Sequence, residues 1–225
     1  MGVATKMPQT KVQKLVCEDI NDMLRQLPKY SPDQLFVKIG ECNRDLNSHF
    51  LNQVIDKYGN IFLTSSGVEG TTTSTYYGGL DPYEMMLLSR LHAIAPENVT
   101  RPLAEVFMRE PNANGVRKMA YVIELVEGVG LYDYKIKLEM TTNPGKVKHY
   151  VKLASKAIDT LRMFHASGVA HGDAHYENIL VSGSKPIFID PMHKSNLRRA
   201  MDSDLQNIDV YEMDILNAME LCLRE

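Results

Sequence analysis

Cysteine is scarce: Cys17, Cys42 and Cys222 are odd in number and far apart. That spacing supports neither a zinc site nor a disulfide framework, and each thiol reads as a small hydrophobe. Such usage suits a reducing intracellular compartment, so a cytoplasmic location is expected. Long apolar runs are missing too. None approaches the roughly 18 residues that cross a bilayer, and the opening MGVATKMPQTKVQ lacks the apolar core of a signal peptide. A soluble protein with no membrane partner is expected. Neither charge sign dominates: 25 basic residues face 28 acidic ones, for a net charge of -3. Nothing in that balance calls for nucleic acid as a partner. A hydrophobic share of 44% over 225 residues is enough to bury a core in one large domain or two small lobes.

Hydrophobic periodicity organises the chain. Residues 11–27 place Val12, Leu15, Val16, Ile20, Met23 and Leu24 on one face at helical spacing before Pro28, which predicts a single amphipathic helix. QLFVKIGE (34–41), SHFLNQVID (48–56) and NIFLTSS (60–66) read as strands, the last two joined by Lys57-Tyr58-Gly59. The Gly- and Thr-rich stretch 67–79 reads as a loop, and Asp81-Pro82 as the start of a helix through Glu84. MAYVIELV (119–126) is a strand, after which Gly128 and Gly130 permit a change of direction. Residues 146–167 form a helix that Gly168 stops, and a last helix runs from Asp202 or Ser203 towards the end. The expected organisation is α+β: an N-terminal helical extension (1–31), a small antiparallel-sheet lobe (32–126) and a reduced helical lobe (127–225).

Between those two late helices lies the stretch with chemistry in it. HGDAHYENIL (171–180) contains Asp-x-x-x-x-Asn from Asp173 to Asn178, just before an apolar strand, and PIFID (186–190) ends a second strand in Asp190. Phosphoryl transfer from ATP needs such a set: an acid for the nucleophile's proton and oxygen ligands for magnesium. This segment resembles the catalytic loop and metal-binding strand of the protein-kinase-like superfamily, whose pattern is His-Arg-Asp, four residues, Asn, then Asp-Phe-Gly. The resemblance implies a bilobal fold with Asp173 as catalytic base, Asn178 as a magnesium ligand and Asp190 as the main one.

Neighbouring segments extend the likeness. AYVIELVEGVGLYDY (120–134) looks like the hinge strand and turn that hold adenine, with backbone groups around Glu124 and Val126 facing the base. IDVYEMDILNAMEL (208–221) looks like the helix under the catalytic loop, with Asp209 as its buried aspartate. Glu84 matches the glutamate of the small lobe's helix. His171 reads as a hydrogen-bonded core residue, while His175 stands where a γ-phosphate contact and a solvent-facing role are both open. The usual spacing puts the phosphate-binding lysine near position 65, where Thr64 and Ser65 stand. Lys38 then takes that role across an unusually long connection, or it is a surface residue on the strand entering a phosphate loop that begins at Gly40 and includes Arg44. Stretch 67–79 is a second candidate for that loop, and Thr71, Thr72, Thr73 and Ser74 are candidate autophosphorylation sites.

Two departures from the pattern matter. His-Gly-Asp replaces His-Arg-Asp, which removes the arginine that reads a phosphorylated activation loop. Asp190-Pro191-Met192 replaces Asp-Phe-Gly. With the short tail after it, the segment is similar to RIO-type atypical kinases and has features of aminoglycoside and fructosamine phosphotransferases. Lys194 to Arg199 attracts an acidic substrate, or forms a solvated helix face. The resemblance implies ATP- and Mg2+-dependent phosphorylation of serine or threonine on a protein substrate, itself included. A small-molecule phosphotransferase and a pseudokinase binding module are the alternatives.

Overall fold

The computed structural model describes residues 10–41, 51–55, 61–65, 83–111, 117–139, 143–194 and 196–223. Expectations that fall on Cys42, Arg44, Lys57-Tyr58-Gly59, stretch 67–79 and Asp81-Pro82 lie outside them. The fold is α+β, and its chain divides into two compact units. One comprises residues 11–85 and 101–125, the other residues 1–10, 86–100 and 126–225. No helix among the described residues is long and apolar enough to cross a membrane.

The first of these units is built on a sheet. Strand β1 (Gln13–Cys17) and the short helix α1 (Ile20–Gln26) replace the single helix predicted for 11–27. The cause is local. Asp19 has extended backbone angles, and its side chain accepts the Asp22 N–H at 2.7 Å, so a new helix starts there and none can run through it. Upstream, residues 13–17 lie parallel to a later strand instead. Residues 13–17 are therefore part of the sheet and not of a helix. Strands β2 (Leu35–Glu41), β3 (Leu51–Ile55) and β4 (Ile61–Ser65) follow as expected.

Helix α2 (Glu84–Ile94) comes next, and then two long strands, β5 (Pro102–Pro111) and β6 (Arg117–Glu124). The sheet order is β1-β5-β6-β2-β3-β4, antiparallel except for β1 on β5. Cys17, Met23, Leu27, Leu35, Val37, Val106 and Val122 form its core, each side chain contributing about 1.5–3 kcal/mol when a Leu, Val or Met is fully buried.

In the other unit, β7 (Val129–Gly130) leads directly into α3 (Leu131–Glu139), where the sequence had suggested only a turn. Helix α4 (Pro144–Ala166) is capped by Asn143 and buries Tyr150, Leu153, Leu161 and Phe164. Strands β8 (Ile179–Ser182) and β9 (Lys185–Phe188) complete a sheet of order β7-β8-β9. The last helix, α5 (Leu197–Leu223), starts earlier than the expected Asp202 or Ser203. Asn196 is the reason: its side chain accepts the Arg199 N–H at 2.9 Å. Arg198 and Arg199 are thus in the first turn of a helix.

Candidate active site

The loop between α4 and β8 holds the candidate residues, and its anchoring starts at the end of α4. Gly168 has φ 72, and Val169 N–H bonds back to Phe164 O at 3.1 Å, which closes the helix and turns the chain inward. His171 follows, fully buried. Its Nε2 donates to Ile189 O at 2.9 Å and its Nδ1 accepts the Asp173 N–H at 3.4 Å, an arrangement that suits neutral imidazole. Burial holds its pKa below the ordinary 6.5, and the charges of Asp204, Asp173 and Asp190 only partly offset this. His171 is the structural residue expected.

Asp204 on α5 carries the loop's backbone. This fully buried carboxylate accepts the His171 N–H at 2.8 Å, the Gly172 N–H at 2.9 Å and a contact from His165 Nε2 at 3.1 Å. Charge-assisted bonds to backbone N–H groups are among the stronger ones, so the loop is fixed to the helix beneath it. The expected residue, Asp209, is exposed and does not do this. Ala200, Asp204, Ile208 and Tyr211 define the buried face of α5, and Asp209 falls off it. Tyr211 also donates its hydroxyl to Ala174 O, and Tyr176 bonds Asp214, itself paired to Lys135 at 2.8 Å. Desolvation raises the Tyr176 pKa, followed by the bond to Asp214, so its hydroxyl remains a donor.

The geometry at Gly172 accounts for a glycine at this position. Its φ is 79, and a Cβ there would lie 2.2 Å from Met192 O, too close for any side chain. Met192 N–H meanwhile donates to His171 O at 3.0 Å. The chain after Asp190 is therefore laid against the loop, and only glycine permits it.

Asp173 and Asn178 meet directly. Asn178 Nδ2 donates to Asp173 O at 2.9 Å and to Asp173 Oδ2 at 3.1 Å, which leaves Oδ1 of the amide available to another group. The β8–β9 pairing continues one residue past its strands, with Ile189 N–H on Asn178 O at 3.0 Å, and this brings the Asp190 end of the chain beside Asn178. Asp190 lies two residues beyond the end of β9, not within a strand, and has φ 53. Left-handed backbone is costly for a non-glycine residue and gathers at functional positions. Phe188 is held by Asn98 and Thr100, through Phe188 N–H to Asn98 O at 2.8 Å and Thr100 N–H to Phe188 O at 3.1 Å. Asp173, Asn178 and Asp190 are all half-buried, so they are reachable from solvent.

His175 is turned to its own loop. Its Nδ1 accepts the Glu177 N–H at 3.2 Å, capping the turn at Tyr176–Asn178, and its Nε2 lies 3.6 Å from Asp173 Oδ2. Among the described residues, no group of three or more His, Cys, Asp or Glu side chains could hold a metal. The oxygen donors that the loop and the chain after β9 can offer are the Asn178 amide and the carboxylates of Asp173 and Asp190. Such a sparse oxygen set fits magnesium, which keeps several waters and takes one or two carboxylates together with phosphate oxygens.

The sheet unit contains the second constellation. Lys38, on β2, places Nζ 2.6 Å from Oε1 of Glu84, the first residue of α2, and both side chains are more than nine-tenths buried. Lys38 is therefore no surface residue. The pair spans 46 positions because β3 and β4 come between β2 and α2. Thr64 and Ser65, at the usual lysine spacing, are on β4. Gly40 is inside β2 opposite Met119, not in a loop. β6 ends at Glu124, whose N–H goes to Arg101 O at 2.9 Å while Leu125 N–H goes to Gln34 O at 2.8 Å. The Glu124 side chain is exposed, and Val126 is half-buried.

No family model matches the chain, and no curated protein matches it.

Proposed function

We propose that this chain is a magnesium- and ATP-dependent phosphotransferase of the protein-kinase-like fold, acting on a serine or threonine hydroxyl of a protein, itself included. One observation carries the reading: Asn178 grips Asp173 through both its carbonyl and its carboxylate, while the Ile189 N–H bond to Asn178 O runs the backbone just before Asp190 past the same asparagine. The buried Lys38–Glu84 pair supports it independently, since a lysine held by a helix glutamate is the cation that this chemistry uses on the α- and β-phosphates. Magnesium bound with ATP would neutralise phosphate charge. Asn178 Oδ1 and the Asp190 carboxylate would hold it. Asp173 orients the acceptor hydroxyl and takes its proton, its carboxylate kept in place by the Asn178 amide. His171 and Asp204 keep that loop rigid, which preserves the alignment on which transfer depends.

The test is incubation with γ-labelled ATP and magnesium. Wild type should label itself or a generic protein substrate, and Asp173→Ala should reduce labelling by about 100-fold or more. Equal labelling by both would remove the protein-kinase assignment. Label on an aminoglycoside or sugar with none on protein would reassign the acceptor, and nucleotide binding without any transfer would make the chain a binding module.

A further inference from the structure

One cavity in the second unit stands apart from the candidate catalytic residues. It measures about 310 Å³ and is walled by Met86 and Leu87 of α2, Val169 and Ala170 before His171, and Met192 and Leu197 beyond Asp190. Apolar side chains make most of its surface, yet Arg90 also lines it. The Arg90 Nε is buried with no hydrogen-bond partner among the described residues. Arg90 as a whole is half-buried, and its guanidinium is shaped to take a carboxylate or phosphate in two parallel bonds.

Positive potential is reinforced at the mouth. Lys194 lines it, and so does the start of α5 at Asn196 and Leu197, where a helix of 27 residues presents its positive end. Among the described residues, no aspartate or glutamate lines the cavity. A cation excludes a neutral hydrocarbon as the best-matched occupant, and the apolar walls exclude a small inorganic anion. We propose that this cavity binds an anionic amphiphile, an apolar tail ending in a carboxylate or a phosphate, with the head on Arg90 and Lys194 and the tail against Met86, Leu87 and Val169. Such a ligand touches both the segment entering the catalytic loop and the segment leaving Asp190, so it braces the two together. The binding claim rests on the cavity alone and stands or falls apart from phosphoryl transfer.

Calorimetric titration of the full chain without nucleotide tests this, using decanoate, decyl phosphate and decanol. At least one of the two anions should bind at one per chain, about tenfold or more tighter than decanol. The tighter of the two names the head group. Arg90→Met keeps the apolar stem and should bring both anions down to the affinity of decanol, with decanol itself unchanged. Its unliganded melting temperature should equal or exceed that of wild type, because an unpaired buried donor has been removed. Lys194→Met, at the mouth, should weaken the anions and spare decanol without touching a buried group. The proposal is overturned if neither anion saturates, if decanol binds as well as the anions do, if Arg90→Met leaves anion affinity intact, or if it lowers the unliganded melting temperature by several degrees.

Discussion

Removing one member of the Lys38–Glu84 pair should cost far more than removing both. The two charges sit 2.6 Å apart with only 8% and 7% of their side chains exposed. At an effective dielectric constant of about 20, that separation gives an attraction of about 6 kcal/mol, set against several kcal/mol of desolvation for each ion. The net value of the pair is therefore small, but removing either partner takes the opposite charge away from a buried ion. Lys38→Met should lose about 3–5 kcal/mol, and Glu84→Leu about the same. The double variant replaces the pair with apolar groups of similar size and should lose far less than their sum, giving a coupling of about 2 kcal/mol or more. Urea unfolding of the full chain, followed by far-UV circular dichroism, reads all four proteins. Additive losses, or a Lys38→Met variant within about 1 kcal/mol of wild type, would refute the buried ion pair.

Asp204→Ala leaves the buried His171 and Gly172 N–H groups without an acceptor and should destabilise by about 2–5 kcal/mol in the same assay, with Asp204→Asn losing less. Gly172→Ala meets both a left-handed φ and Met192 O, so a loss above about 2 kcal/mol is expected, whereas a neutral effect would mean that the 190–192 segment does not lie against the loop. Burial holds His171 neutral, so the unfolded chain binds its proton first as pH falls. The stability from this residue is present above about pH 6.5 and is lost below it, with a slope of up to about 1.4 kcal/mol per pH unit. His171→Gln should flatten that slope between pH 7.5 and 5.5 in urea titrations, and an unchanged slope would assign the acid sensitivity to other groups.

The candidate loop and the two short strands that flank it were legible because their signal is local: Asp173, Asn178 and Asp190 stand at fixed offsets beside two short apolar runs. What failed depended on distant partners. The helix predicted for 11–27 matched the spacing of Val12, Leu15 and Val16, but β1 is defined by parallel pairing with β5, more than 80 residues on, and β5 was itself not recognised. Asp19, a strong capping residue, was the overlooked clue. Spacing alone leaves Lys38 ambiguous, because the β3–β4 hairpin lies between its strand and the helix that carries Glu84. Asp204 was missed by a misplaced helix start. Beginning α5 at Asn196 puts Ala200, Asp204, Ile208 and Tyr211 in one buried stripe at spacings of four, four and three, a pattern open to inspection in the sequence.

The most direct measurement of the central claim is manganese binding, with Mn2+ standing in for magnesium and read by electron paramagnetic resonance with a non-hydrolysable ATP analogue. If Asn178 and Asp190 share a nucleotide-bound metal, wild type should sequester Mn2+ only when the analogue is present. Asp190→Ala should abolish that signal and Asn178→Ala weaken it, while Asp209→Ala leaves it untouched. Nucleotide-dependent sequestration that persists in Asp190→Ala, or none in wild type, would contradict the account.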